Sequence, residues 1–166
     1  MPEKAEVSAP EKDGESVLVV EYLNAYCEHC RATHQNLDAV IASIDVPVRR
    51  RRIYAWGSHG YPLWARACAY AHELGKEEEL FAELLRTRSQ HPTEVYRAAR
   101  RVGIDPRALQ RAVRRPPPPR LVRDCRIMVA AGLQGLPTLD IGRRRLMGGQ
   151  SESDLVGAIR AATASP

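Results

Sequence analysis

A Cys-x-x-Cys motif at the junction of an apolar strand and an amphipathic helix most constrains the fold of this chain. Val17–Val20 is a continuous apolar run, as expected of a strand covered on both faces. From Glu28 onward, apolar residues recur at intervals of three and four, which predicts a helix. The motif, Cys27 to Cys30, lies where the period changes, and a second strand is predicted over Val48–Trp56. This order predicts a parallel β-α-β unit.

A long helical segment follows this unit. Residues 62–132 show successive helical periods separated by turn and capping residues. Within this segment, Pro116–Pro119 predicts a stiff extended spacer between helices. The helix after the spacer is predicted to carry Leu121, Cys125 and Val129 on its apolar side.

The end of the chain returns to β structure. Thr138–Ile141 and Arg144–Met147 predict a hairpin, and Ser151 with Asp154 predicts the capping box of a final helix. The predicted order is therefore β-α-β, a helical insertion and β-β-α, an α/β fold.

The predicted domain limits follow from this order. An α/β domain is expected over residues 16–61 and 133–166, and the insertion over residues 62–132. Residues 1–15 are rich in Glu, Lys, Pro and Ala, which predicts a flexible tail.

Composition limits the functional classes without choosing among them. The chain has 166 residues, 27% charged and 44% hydrophobic, which fits one globular domain with an insertion. It contains no apolar run of the length that a secretory signal or a membrane span needs. The net charge of +5 allows attraction to nucleic acid, anionic lipid or acidic proteins, but requires none of them.

Cys27 and Cys30 can form a redox pair. At a helix start, unpaired backbone N–H groups and the positive end of the helix dipole favour the thiolate of Cys27, which makes it the attacking sulfur. The two intervening residues bring Cys30 within reach of a disulfide and of a mixed disulfide formed at Cys27. His29 can stabilise the thiolate as a cation, whereas Glu28 opposes it.

Two other uses of the motif remain open at this point. Cys27, Cys30 and His34 can be part of a zinc site, but no second ligand pair completes it, and we predict no metal. A purely structural disulfide is the other use, although so small a ring is more often labile. We favour redox chemistry, with the disulfide itself as the redox group and no other cofactor.

The motifs together resemble a known family. The chain resembles the DsbA-like branch of the thioredoxin fold over about residues 16 to 164. The resemblance lies in Glu21–Cys30, in the helical insertion and in the later Gly135–Thr138 (Gly-Leu-Pro-Thr). The motifs are also similar to those of the thioredoxin-like domains fused to bacterial vitamin K epoxide reductase homologues. The DsbA-like resemblance implies a thioredoxin fold with an all-helical insertion, and a protein thiol–disulfide oxidoreductase.

The resemblance also implies roles for particular residues. Cys27 matches the exposed nucleophile and Cys30 its buried partner. Pro137 matches a cis-proline that faces the disulfide, and the backbone of Leu136 before it pairs with a bound substrate peptide. Glu21 matches a buried acid that relays protons to Cys30.

Partners and location are implied by the family alone. The resemblance implies reduced or misfolded protein substrates, reoxidation by a quinone-linked membrane partner, and a monomer. It implies the periplasm or another extracytoplasmic compartment, although the sequence leaves a cytoplasmic location open.

The chain departs from the family pattern at two positions. Glu28 stands where the family usually has Pro, and Leu136 where it usually has Thr or Val. A negative side chain beside the nucleophile should favour the disulfide over the thiolate, which predicts a weaker oxidant. We therefore expect a moderate oxidase or an isomerase.

The other two cysteines lie on predicted apolar helix faces. Cys68 and Cys125 are interpreted as small packing residues, and a second disulfide that links them is the alternative.

A nucleic-acid-binding module is the remaining alternative, suggested by the run Arg49–Arg52 and a pI of about 9.3. Successive residues of a strand point to opposite faces, so the four arginines cannot form one patch. No binding motif accompanies them, and we predict no nucleic acid as a partner.

Overall fold

The computed structural model describes residues 16–57 and 60–164, which divide into two compact units. One unit contains the described residues up to Ala55 and those from Arg126 onward, and the other is Trp56–Cys125. The tail predicted over residues 1–15 lies outside the described residues.

The elements of the α/β unit are β1 (Val17–Leu23), α1 (Glu28–Ser43), β2 (Val48–Tyr54), β3 (Thr138–Ile141), β4 (Arg144–Met147) and α7 (Glu152–Thr163). Between β2 and β3 lie α2 (Leu63–Glu73), α3 (Glu77–Arg86), α4 (Pro92–Arg101), α5 (Pro106–Val113) and α6 (Pro119–Ala130). The predicted order is therefore confirmed.

The four strands form one sheet in the order β2-β1-β3-β4. β1 pairs with β2 in parallel and with β3 antiparallel, and β3 pairs antiparallel with β4. Glu21 lies opposite Arg52 on one side and Leu139 on the other. The apolar run of β1 is central because both of its neighbours hydrogen-bond to it.

One face of the sheet packs against α1 and α7. Side chains alternate along a strand, so every second residue of β1 faces these helices. The buried core there comprises Val17, Val19, Leu37, Val40, Leu139, Ile141, Leu155, Ala158 and Ile159. The predicted capping box is present: the Ser151 hydroxyl accepts from the Asp154 N–H at 3.1 Å, and the Asp154 carboxylate accepts from the Ser151 N–H at 3.2 Å.

The helical unit Trp56–Cys125 has its own core and an ion pair to a buried carboxylate. Its largest fully buried side chains include Phe81, Leu80, Leu84, Leu109 and Leu121. The Arg120 guanidinium donates to both oxygens of the buried Glu77 carboxylate, at 2.8 and 2.9 Å. None of the described helices combines the length and hydropathy that a membrane crossing requires.

Two details of α6 differ from the sequence prediction. Pro119 is the first residue of α6, so the extended spacer is one residue shorter than predicted; a proline is tolerated there because the first turn needs no N–H donor. Val129 is 71% exposed, although its period placed it on the apolar side. The buried part of α6 includes Leu121 and Asp124. The repeat of apolar residues along α6 extends past this part to Val129.

Candidate functional site

Asn24 determines the path of the loop between β1 and α1. Its side-chain oxygen accepts from the Tyr26 N–H at 2.9 Å, and its backbone oxygen accepts from the Cys27 N–H at 3.2 Å. Its amide group donates to the backbone oxygen of Ala55, just after β2, at 3.2 Å. Side-chain bonds of this kind replace backbone partners in tight turns. The turn places Cys27 immediately before the first residue of α1.

Cys27 is the N-cap residue of α1. Its backbone is extended, its side chain is half-buried, and its sulfur accepts from the Cys30 N–H at 3.4 Å. The sulfur therefore lies where the unpaired N–H groups of the first turn and the helix dipole favour negative charge. The prediction that Cys27 opens the helix is confirmed.

Cys30 lies one turn further along α1 and is fully buried. Burial raises the pKa of its thiol, and the neighbouring Cys27 and the charge of Glu21 raise it further. Both motif cysteines are thiols in the structure. Of the two sulfurs, that of Cys27 is accessible to a partner, whereas Cys30 retains its proton inside the protein.

Glu21 is a fully buried carboxylate in the centre of β1. The Nδ1 atom of His34 on α1 lies 3.0 Å from both of its oxygens. The Nε atom of Arg50 on β2 lies 3.9 Å from one of them. Glu21 therefore lies on the side of the sheet that faces α1. Its polar neighbours are His34 on α1 and Arg50 on β2.

Asp38 connects this group of residues to the surface. The Arg50 guanidinium donates to one Asp38 oxygen at 2.7 Å, and the Nε2 atom of His34 lies 3.8 Å from the other. His34 is buried, whereas the Asp38 side chain is 57% exposed. The four residues Glu21, His34, Asp38 and Arg50 are called the α1 network below.

The zinc interpretation finds no support in this arrangement. His34, its proposed third ligand, hydrogen-bonds to Glu21. Across residues 16–57 and 60–164, no group of three or more His, Cys, Asp and Glu side chains is arranged to hold a metal ion.

The loop before β3 contains a cis peptide bond between Leu136 and Pro137. Pro137 is buried, and its backbone oxygen accepts from the Gly148 N–H at 2.9 Å. Thr138, the next residue, pairs with Tyr22 near the end of β1. Because β1 and β3 are antiparallel, this loop lies at the end of the sheet from which β1 leads to Cys27.

The two residues between the cysteines are exposed. Neither Glu28 nor His29 is covered, and Gly149 lies beside His29, since a Cβ atom on that glycine would be 3.8 Å from Nδ1. The loop that contains Gly149 is attached to α1 through Gln150, which donates its N–H to the Thr33 hydroxyl at 3.1 Å. The motif dipeptide is therefore available to a partner.

Cys68 and Cys125 lie in the helical unit, on α2 and α6. Cys68 is buried and Cys125 is half-buried, and both are thiols. The structure therefore contains no disulfide between Cys68 and Cys125.

The arginine run of β2 alternates as predicted. Arg49 and Arg51 are exposed, Arg50 belongs to the α1 network, and Arg52 is buried. The four side chains do not form one basic surface.

Most of the α1 network is not predicted by the sequence. The sequence indicates His34 only as a metal ligand and does not place Asp38 or Arg50 beside Glu21. One signal was present, because Cys30, His34 and Asp38 are spaced by four residues and so lie on one helix face.

Comparison with solved structures relates the whole fold to a known group. A thioredoxin-like oxidoreductase from Silicibacter pomeroyi DSS-3 is 26% identical, with a TM-score of 0.80 over 95% of this chain and 91% of that one. DsbA from Xylella fastidiosa is 19% identical, with a TM-score of 0.72 over 92% and 89% of the two chains. A periplasmic thioredoxin-like protein from Salmonella enterica serovar Typhimurium is 18% identical, with a TM-score of 0.67 over 90% and 85%.

These matches show that the chain has the DsbA-like thioredoxin fold, as the sequence resemblance implied. No family model and no curated protein matches the chain. The similarity to domains fused to vitamin K epoxide reductase homologues gains no support from these structures and stays a prediction.

Proposed function

We propose that this chain is a thiol–disulfide oxidoreductase that acts on proteins, with Cys27 as the nucleophile and Cys30 as the resolving cysteine. One observation carries the proposal: the half-buried Cys27 sulfur caps α1 and accepts the N–H of a fully buried Cys30. A client sulfur can therefore reach Cys27, and Cys30 can break the resulting mixed disulfide from inside. The similarity of the fold to DsbA agrees with this chemistry.

In the oxidising direction, two electrons pass from the client to the protein. A client thiolate attacks the Cys27 sulfur of the Cys27–Cys30 disulfide, the S–S bond breaks, and the sulfur of Cys30 leaves and takes up a proton. A second client thiolate then attacks the client sulfur of the mixed disulfide and displaces Cys27. The client gains a disulfide, and both cysteines end as thiols. A quinone-linked membrane protein is the proposed oxidant that regenerates the pair.

Glu21 is the proposed proton donor and acceptor for Cys30. The cysteine must gain a proton when the disulfide opens and lose it when the disulfide forms, and it is buried away from water. The fully buried Glu21 carboxylate is near enough for its charge to act on Cys30. A buried acid beside a reacting thiol can serve as a general acid and base.

The Leu136–Pro137 loop is the proposed binding site for the client backbone. It lies at the same end of the sheet as Cys27, and Leu136 is half-buried, so its backbone can pair with an extended peptide. The exposed His29 is proposed to stabilise the Cys27 thiolate and the exposed Glu28 to oppose it. This opposition favours a moderate oxidase or an isomerase, in the periplasm or another extracytoplasmic compartment.

The test is oxidation of a reduced, unfolded protein. The oxidised chain should form disulfides in that protein, whereas Cys27→Ala should act no faster than the buffer. Mixed with a protein that carries a disulfide, Cys30→Ala should accumulate a mixed disulfide at Cys27 and release a client thiol. Cys125→Ala, which keeps the pair, should behave as the wild type. Equal rates for the wild type and Cys27→Ala would refute the proposal. Equilibration with glutathione then measures the potential, and a value as low as that of thioredoxin, about −270 mV, would indicate a reductase instead.

A further inference from the structure

The α1 network joins the buried end of the redox pair to the protein surface. Glu21 is 0% exposed and Asp38 is 57% exposed, and the imidazole of His34 lies between them. One ring nitrogen is 3.0 Å from both oxygens of Glu21, and the other is 3.8 Å from Asp38. The first contact is a hydrogen bond, and the second is a gap that a water molecule or a small movement of the exposed carboxylate can bridge.

A proton that Glu21 takes from Cys30 needs a route to solvent. Water does not reach the Glu21 carboxylate, because the side chain is fully buried. Arg50 also approaches Glu21, at 3.9 Å, but a guanidinium keeps its protons at any ordinary pH. An imidazole accepts a proton at one nitrogen and releases another from the second near neutral pH. Of these two neighbours of Glu21, His34 has the chemistry that the route requires.

We propose that His34 is the residue through which Glu21 exchanges the Cys30 proton with solvent, with Asp38 as the exit. This inference rests on the proposed function. In the dithiol state, Nδ1–H of cationic His34 donates to the Glu21 carboxylate. When Cys30 forms a disulfide, its proton passes to the Glu21 carboxylate, and the imidazolium releases its Nε2 proton toward Asp38 and water. One proton therefore leaves for each one taken up, and no electrons move. When the disulfide opens, the same steps run in reverse.

The groups around His34 are compatible with this role. Glu21 faces it from β1, Arg50 approaches Glu21 from β2, and Asp38 and Cys30 lie on α1 with it. With Arg50 and His34 cationic and both carboxylates ionised, the network has no net charge. The net charge is unchanged when Glu21 takes up one proton and His34 releases one. His34 is a positioning and proton-transfer residue that acts through Glu21, to which it hydrogen-bonds.

The test measures the lifetime of one mixed disulfide. Reduced protein is mixed with oxidised glutathione, so that Cys27 becomes glutathionylated, and Cys30 then displaces the glutathione. Acid quenching followed by intact mass measurement gives the rates of both steps. Burial and nearby charge keep Cys30 protonated, so the second step includes loss of its proton.

His34→Ala should slow the second step about tenfold at neutral pH and leave the first step unchanged. This is less than the roughly 10²–10⁴-fold that a direct general acid or base contributes, because His34 acts through Glu21. Imidazole added to the buffer should restore the rate of His34→Ala. Pyrazole has the same shape but is a far weaker base, and it should not restore it. Gln35→Ala, at an exposed position of the same helix, is the matched control and should behave as the wild type.

Three results would overturn the proposal. The first is a second step in His34→Ala that is as fast as in the wild type. The second is equal restoration of that rate by imidazole and by pyrazole, which would mean that the ring only fills space. The third is a slower first step in His34→Ala. If His34→Ala does not fold, His34→Gln decides: it can hydrogen-bond to Glu21 but cannot transfer a proton, so a wild-type rate refutes the proposal. Failure of the proposed function is distinguishable, because then the wild type would form no mixed disulfide at Cys27.

Discussion

The buried Cys30 thiol should make the reduced protein lose stability at alkaline pH. Burial is the main cause of its raised pKa, and nearby Cys27 and Glu21 contribute to it. In the unfolded chain the thiol ionises near its ordinary value of 9.0. As the pH rises above this value, the unfolded state releases a proton that the folded state retains. The free energy of unfolding must therefore fall.

The size of this loss follows from the ordinary pKa. At pH 10, one unit above the value in the unfolded chain, ionisation stabilises the unfolded state by RT ln 11, about 1.4 kcal/mol. The folded thiol stays protonated at pH 10, because burial and nearby charge oppose its ionisation. The folded state therefore gains nothing that offsets this amount, and the thiol lowers the free energy of unfolding by nearly all of it.

Urea unfolding followed by circular dichroism measures the effect. The reduced wild type and Cys30→Ala are each unfolded at pH 7 and at pH 10, with a phosphine present to keep thiols reduced. Between these two pH values, the wild type should lose about 1.4 kcal/mol more than the variant. The raised pKa of Tyr22, caused mainly by burial, acts in the same direction near pH 10 but is common to both proteins.

Equal losses in the two proteins would refute the reasoning. They would mean that folded Cys30 releases its proton as readily as the unfolded chain does. A larger loss in Cys30→Ala would refute it as well.

Two further predictions concern the core and the remaining thiols. Leu37→Ala removes a fully buried side chain between α1 and the sheet and should cost about 2–5 kcal/mol in urea unfolding, whereas Gln35→Ala on the exposed face should change stability by less than about 0.5 kcal/mol. After unfolding without reductant, Cys27→Ala/Cys30→Ala should show two titratable thiols per chain, because the structure has both cysteines of the helical unit as thiols. A count of zero would mean that these two form a disulfide.

The order of the elements could be predicted because its signals are local. The change of period at Cys27 and the capping box at Ser151 each involve residues a few positions apart, and the structure contains both. The exposure of Val129 could not be predicted in this way. The spacing of apolar residues shows which face of a helix is apolar, but not how much of the helix length other elements cover.

The candidate site divides in the same manner. The position of Cys27 before α1 follows from the sequence, because the residues that form the turn and the helix start are its neighbours. The family resemblance named Glu21 as a buried acid, but it named neither Asp38 nor Arg50 beside it.

The sequence by itself determined which residues carry sulfur chemistry, and that they open a helix in an α/β fold. The tertiary structure decided how Cys30 and Glu21 are buried, and that His34, Asp38 and Arg50 surround the carboxylate. The physical reason is that these groups come from β1, α1 and β2. Strand register and helix packing bring them together, and both depend on contacts between residues far apart in the chain.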